Sequence, residues 1–159
     1  MQLFLEGLIW FCAVGNGVMA GVYFTFSAFA MRALASIEAP AGIAAMQAIN
    51  EVIQRSAFLP LFFATSLASA LVAGATLLGL AETGATAGVA GAVYVIGMFG
   101  CTVVFNVPLN ERLGSVDPAS EAGAERWAHY LRTWTRWNHV RTVACTLSMV
   151  LFVVALQPR

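Results

Sequence analysis

The sequence predicts an all-α integral membrane protein: a four-helix up-down bundle, with an amphipathic segment between helices 1 and 2, a cytoplasmic extension of helix 4, and a single domain over residues 1–159. Three observations point there. The chain is 60% hydrophobic and only 10% charged, whereas soluble domains carry about 25% charged residues. A core of this size cannot hide so much apolar surface, so lipid must cover part of it. The apolar residues gather in stretches that reach or approach the roughly 20 residues a helix needs to cross about 30 Å of hydrocarbon. Finally, polar blocks stand at the ends of these stretches, Asn106-Val-Pro-Leu-Asn110 and Trp134-Thr-Arg-Trp-Asn138-His-Val-Arg141. Such groups are costly in a bilayer unless they face one another, water or a ligand.

The first span covers about Leu3 to Met31. It lacks a basic leader and a small-residue cleavage site, so it reads as a retained span rather than a signal peptide. On a helical wheel Asn16, Tyr23 and Ser27 fall within about 40° of one another. Gly17 and Gly21 form a neighbouring strip suited to close helix packing. For Asn16, an interhelical hydrogen bond and a place in a pocket both remain open.

Pro40 to Arg55 is expected to be helical, with Ile43, Met46, Ile49 and Ile53 on one side and Gln47, Asn50, Glu51 and Gln54 on the other. That pattern suits a helix lying at the interface or extending span two. Span two runs about Ser56 to Leu80, where Thr65, Ser69 and Thr76 mark a packing face. A short turn around Glu82 to Thr86 leads to span three, about Ala87 to Phe105. Asn106 and Asn110 follow at i,i+4, with Pro108 between them unable to donate to the Val104 carbonyl. The block could form a ligand-binding rim or a capping arrangement at the helix end. Gly114 and Asp117-Pro118 signal the turn in the Glu111 to Ser120 link. From Glu121 a helix is expected to run unbroken into span four, about Val140 to Leu156. One stripe of it carries Trp127, Tyr130, Trp134, Asn138, Arg141, Cys145 and Ser148.

All eight basic residues are arginines. Arg32 and Arg55 flank the first loop; Arg112, Arg126, Arg132, Arg136 and Arg141 lie in or beside the third; Arg159 alone is opposite. The positive-inside rule puts both Arg-bearing loops in the cytoplasm and both termini outside, with a bacterial inner membrane as the expected location. Tyr23, Ser27, Asn106, Asn110, Asn138 and Arg141 then share a depth near the cytoplasmic end, where a bundle cavity would open. The expected partners are the lipid bilayer and a small hydrophobic aromatic ligand, with homo-oligomerisation left open. A net charge of zero argues against nucleic acid.

His129 and His139 point roughly opposite the span-four stripe, which argues against haem, and the hydrolase and nucleotide motifs are missing. The three cysteines, Cys12, Cys101 and Cys145, have no CxxC spacing and read as buried thiols. Cys101 is expected to point away from Asn106.

At these residues the chain resembles the anthrone oxygenase-like family of small four-helix membrane proteins. The matching blocks are Gly21-Val-Tyr-Phe-Thr-Phe-Ser27 with Met31 and Leu34, then Asn106-Val-Pro-Leu-Asn110 with Leu113, then Trp127, Tyr130, Trp134, Asn138 and Arg141. One departure is Arg32, where the family pattern has proline, which puts the end of span one in question. The resemblance implies an oxidoreductase of monooxygenase type that converts anthrones to anthraquinones with dioxygen as co-substrate and no metal or flavin. It further implies that Trp134 and Trp137 stack on the substrate ring, that Arg141 stabilises an enolate oxygen, and that Asn106, Asn110 and Asn138 donate hydrogen bonds. Tyr23 or a substrate phenolate would serve as base, since no His or carboxylate lies on the expected face. Two rival readings are a non-catalytic binder, transporter or helper subunit for a small hydrophobe, and a copper or other redox protein.

Overall fold

A computed structural model describes residues 2–80 and 84–157. Among the described residues, four helices are long and apolar enough to cross a membrane: α1 (Leu3–Ala35), α3 (Phe58–Leu77), α4 (Gly84–Gly114) and α5 (Glu121–Ala155). A shorter amphipathic helix, α2 (Ala39–Gln54), lies between the first two. No strand occurs among the described residues. Large apolar side chains such as Trp10, Phe24, Leu67, Ile96 and Val143 face outward. In water that surface would be prohibitive; in a bilayer it is the expected exterior. The protein is an integral membrane four-helix bundle.

The helices begin where local chemistry allows. Pro40 occupies the first turn of α2, where its missing N–H is one of the donors a helix leaves unpaired. The Ser120 side chain caps α5 by accepting from the Gly123 backbone N–H at 3.0 Å, and Asp117 accepts from the Ala119 N–H at 3.0 Å. Two boundaries differ from the sequence reading. α1 continues to Ala35, so Arg32 lies within the helix and donates to the Ala28 carbonyl one turn back. α4 runs through Pro108 to Gly114. The ladder has already shifted before the proline arrives: the Val107 N–H bonds the Thr102 carbonyl, five residues back. Part of the expected turn at Glu82 lies outside the described residues.

Among the described residues, three π-wound stretches interrupt the long helices: Phe26–Ala30 in α1, and Val95–Gly100 and Thr102–Asn106 in α4. Such turns hold a surplus residue and concentrate near functional sites.

α1 packs on α5 and α3, and α4 packs on α3 and α5, which closes the bundle. Small residues set the close contacts. Gly91 lies where a Cβ would meet the Ser69 carbonyl and Ala73, and Gly88 abuts Thr76. Gly17 lies against Met149, whereas Gly21 faces open space, so only one of the two expected packing glycines is used. A buried polar node joins the helices: Asn16 Nδ2 donates to Ser148 Oγ at 3.0 Å, and Ser148 Oγ donates to the Ala90 carbonyl at 2.8 Å. Each such bond is worth about 0.6 kcal/mol on average in a membrane protein, so the node fixes alignment more than it adds stability.

Candidate functional site

Because α3 and α4 touch through glycines at one end and phenylalanines at the other, they diverge. The Gly84–Tyr94 part of α4 packs along α3, but the Thr102–Asn106 stretch has no extensive contact with it. The space that opens is a cavity of about 630 Å³. Phe58, Phe62 and Phe99 form an aromatic wall, α2 contributes Met46, Gln47 and Asn50, and Tyr23, Thr102, Trp134 and Arg141 form the inner end.

Arg141 is the centre of that inner end. It is 5% exposed. Its Nη2 donates to Asn138 Oδ1 at 2.8 Å, and its Nη1 donates to Thr102 Oγ1 at 3.4 Å. The guanidinium carbon lies 4.3 Å from the Tyr23 ring centroid and 5.0 Å from that of Trp134. Both distances suit cation–π attraction. No carboxylate forms an ion pair with it among the described residues, where the salt bridge present joins exposed Arg55 and Glu51 at 3.2 Å. Among the described residues, Arg141 Nε and Trp134 Nε1 have no hydrogen-bond partner. A buried cation is normally paired or solvated. Here it is held by neutral dipoles and π faces, with donors unspent beside an apolar cavity.

The remaining candidates separate into lining and supporting groups. Asn138 is fully buried and lies outside the cavity lining. Its Nδ2 donates to the Tyr23 carbonyl at 2.7 Å and to Ser27 Oγ at 2.8 Å. Asn138 therefore ties α5 to α1 beside the π-wound stretch and aims Arg141. Ser27 also shares a hydrogen bond with Thr142 at 3.0 Å. Asn106 is buried outside the lining too, and donates to the Trp134 carbonyl at 3.3 Å. Asn110 does line the cavity, and its Oδ1 accepts from the Tyr130 hydroxyl at 2.8 Å. Trp137 stacks on Phe105, with centroids 3.7 Å apart and planes 2° from parallel, and does not border the cavity. Asn16 belongs to the node at the bundle's middle, away from this cavity. Tyr23 turns its ring to Arg141 and its hydroxyl to Met98 Sδ, at 3.5 Å.

Two expectations are corrected. Cys101 does not point away from Asn106: its Sγ lies 3.8 Å from Asn106 Oδ1. The two are five residues apart, and π winding brings i and i+5 onto one side. Carboxylates also reach the site, because Glu51 and Glu111 line the cavity's outer edge. The polar side of α2 faces this space, and amphipathicity alone cannot tell a water-facing side from a cavity-facing one. His129 and His139 are exposed. Among the described residues, no three His, Cys, Asp or Glu side chains gather as metal ligands would.

The site is thus a guanidinium without a carboxylate partner at the base of an aromatic-walled cavity in a membrane four-helix bundle. The family model described as anthrone oxygenase matches residues 51–151, from the end of α2 through most of α5. The chain belongs to the anthrone oxygenase family. No curated protein and no solved structure matches it.

Proposed function

We propose that the protein is a membrane-embedded oxygenase that uses dioxygen, without a resident cofactor, to oxidise a hydrophobic phenolic, anthrone-like or quinol-like compound. The observation that carries this reading is Arg141: buried, lacking a carboxylate partner, and bordering an apolar cavity with free donors beside it. An anionic oxygen would complete it. The C–H of an anthrone, flanked by aryl rings and conjugated to its carbonyl, is acidic. Loss of that proton leaves an enolate whose oxygen charge Arg141 and Trp134 Nε1 stabilise in a water-poor site. Dioxygen is a triplet, so the enolate first gives it one electron. The carbon radical and superoxide then combine, and the peroxide takes up a proton. Loss of the second C–H breaks the O–O bond and expels hydroxide, which the proton turns to water. Anthrone plus dioxygen gives anthraquinone plus water, with no outside reductant. Since the Tyr23 hydroxyl is engaged with Met98, the first proton goes to a substrate phenolate or towards Glu111 at the outer edge.

The test is turnover by the purified protein in lipid nanodiscs. Dioxygen uptake and anthraquinone absorbance should rise well above protein-free discs and survive treatment with a metal chelator. Binding of anthrone without any acceleration would leave a carrier. Activity lost on chelation and restored by copper would make the site a metal centre.

The arginine distribution supports an orientation with the α1–α3 and α4–α5 connections, and the cavity's polar edge, in the cytoplasm. Reporter fusions after Ser36 and Ser115 should read cytoplasmic, and a C-terminal fusion external. A cytoplasmic C-terminus would reverse the assignment.

A further inference from the structure

The cavity has two unlike edges. On the polar edge α2 is tied down: Gln47 Nε2 donates to the Leu113 and Val116 carbonyls at 2.9 and 3.0 Å. Behind it Tyr130 donates to Asn110 at 2.8 Å. The other edge lies between α3 and α4. There Phe63, Val103 and Val107 line the cavity, yet they are 55%, 50% and 38% exposed. The same side chains face both the interior space and the surface that lipid covers. Among the described residues no side-chain hydrogen bond joins the start of α3 to α4 beyond Thr102. At the opposite, inner end Arg141 and Trp134, 5% and 4% exposed, hold donors without partners.

We propose that the gap between α3 and α4 is a lipid-side portal. The ligand it admits is an amphiphile resident in the bilayer: a phenol or hydroquinone carrying a linear or prenyl hydrocarbon chain. Its oxygen meets Arg141 and Trp134, its ring lies along Phe58, Phe62 and Phe99, and its chain leaves between Phe63 and Val103. This rests on the reading of the inner end as a seat for a phenolic oxygen. A water-soluble ligand would need the polar edge to open, which means parting α2 from α4. A bilayer solute needs no such opening, and keeps its chain in apolar surroundings from entry to binding. A phospholipid fits the chain path equally well. Its phosphate, however, would bring a full charge and a large polar head into a deep site with a single cation.

The test uses the protein in phosphatidylcholine nanodiscs with dodecylhydroquinone bearing a diazirine at the chain end. Peptides holding Phe63 or Val103 should be labelled, and excess unmodified dodecylhydroquinone should remove the label. Val103→Trp, which fills the gap at a half-exposed position, should weaken binding of the dodecyl compound at least tenfold. It should weaken 2-methylhydroquinone, which has no chain to pass the gap, far less. Val107→Trp provides a second, independent obstruction. Labelling spread along the lipid-facing surface without competition would overturn the proposal. So would equal labelling of the same peptides by a phosphatidylcholine with a chain-end diazirine, or a Val103→Trp protein that binds both hydroquinones as the wild type does or loses both alike. If Arg141→Gln binds both compounds with unchanged affinity, the underlying reading of the site fails, and the proposal with it.

Discussion

Arg141→Lys is expected to fold and to lose anthrone turnover by about 100-fold or more, the scale seen when one preorganised donor to a developing oxyanion is removed. The geometry explains why keeping the charge is not enough. Arg141 reaches Asn138 with one terminal nitrogen and Thr102 with the other while its plane lies by Tyr23 and Trp134. Lysine carries a point charge and three tetrahedral donors, and cannot hold this bridge and stack together. Dioxygen uptake in nanodiscs, with circular dichroism as the folding control, checks the outcome. His139→Ala, on an exposed position of the same helix, should turn over as the wild type does. A lysine variant with wild-type kcat would show that charge alone suffices, or that the oxygen sits elsewhere.

Asn138→Leu should damage both stability and activity. It removes the acceptor of the Arg141 Nη2 bond and the donor to the Tyr23 carbonyl and Ser27. Leucine is similar in size, so the cost comes from what is left unpaired, about 1–3 kcal/mol for a buried group and more for a charged one. An ordinary membrane hydrogen bond contributes only about 0.6 kcal/mol. A loss of several kcal/mol would therefore be assigned to the stranded guanidinium. A double-mutant cycle separates the two: in an Arg141→Leu background, the cost of Asn138→Leu should shrink towards about 1 kcal/mol. Asn106→Leu, which breaks a longer bond to the Trp134 carbonyl at 3.3 Å, should cost less. Reversible unfolding in mixed micelles gives the values. A cycle with no coupling would mean that Asn138 does not support Arg141.

The bundle was legible because lipid simplifies the code. Backbone groups must pair within each segment, so apolar length alone marks the helices. The α5 stripe was equally legible: Trp127, Tyr130, Trp134, Asn138, Arg141, Cys145 and Ser148 are all buried, as a wheel of about 100° per residue anticipates for a regular helix. The same wheel misplaces Cys101 against Asn106, because α4 is not regular there. Nothing in a single helix reveals which buried residues border empty space. Asn106 and Asn138 share a depth with Arg141, but Asn106 is spent on the Trp134 carbonyl and Asn138 on the Tyr23 carbonyl, Ser27 and Arg141 itself, while Trp137 is taken by Phe105. The cavity comes from the wedge between α3 and α4, a relation between helices that leaves no period in either. Glu51 and Gln47 owe their place to the fold of α2 over that wedge, and Glu111 owes its place to the run of α4 past Pro108.

The doubled π winding of α4 carries a consequence for how this chain tolerates insertion and deletion. Helical phase beyond Val95 is set by surplus backbone, not by any one side chain. Removing a single residue inside one of these turns would let that turn close as ordinary α-helix and leave everything downstream in register. Asn106, Asn110 and Glu111 would keep their places beside Trp134, Tyr130 and the cavity edge, whereas the same deletion in the regular helix of Gly84–Tyr94 would swing them together by about 100° around the helix axis. In the π-wound stretch a one-residue gap is absorbed by the backbone, outside it the same gap is a rotation of the site, and an alignment that scores residue identity alone would not tell the two apart.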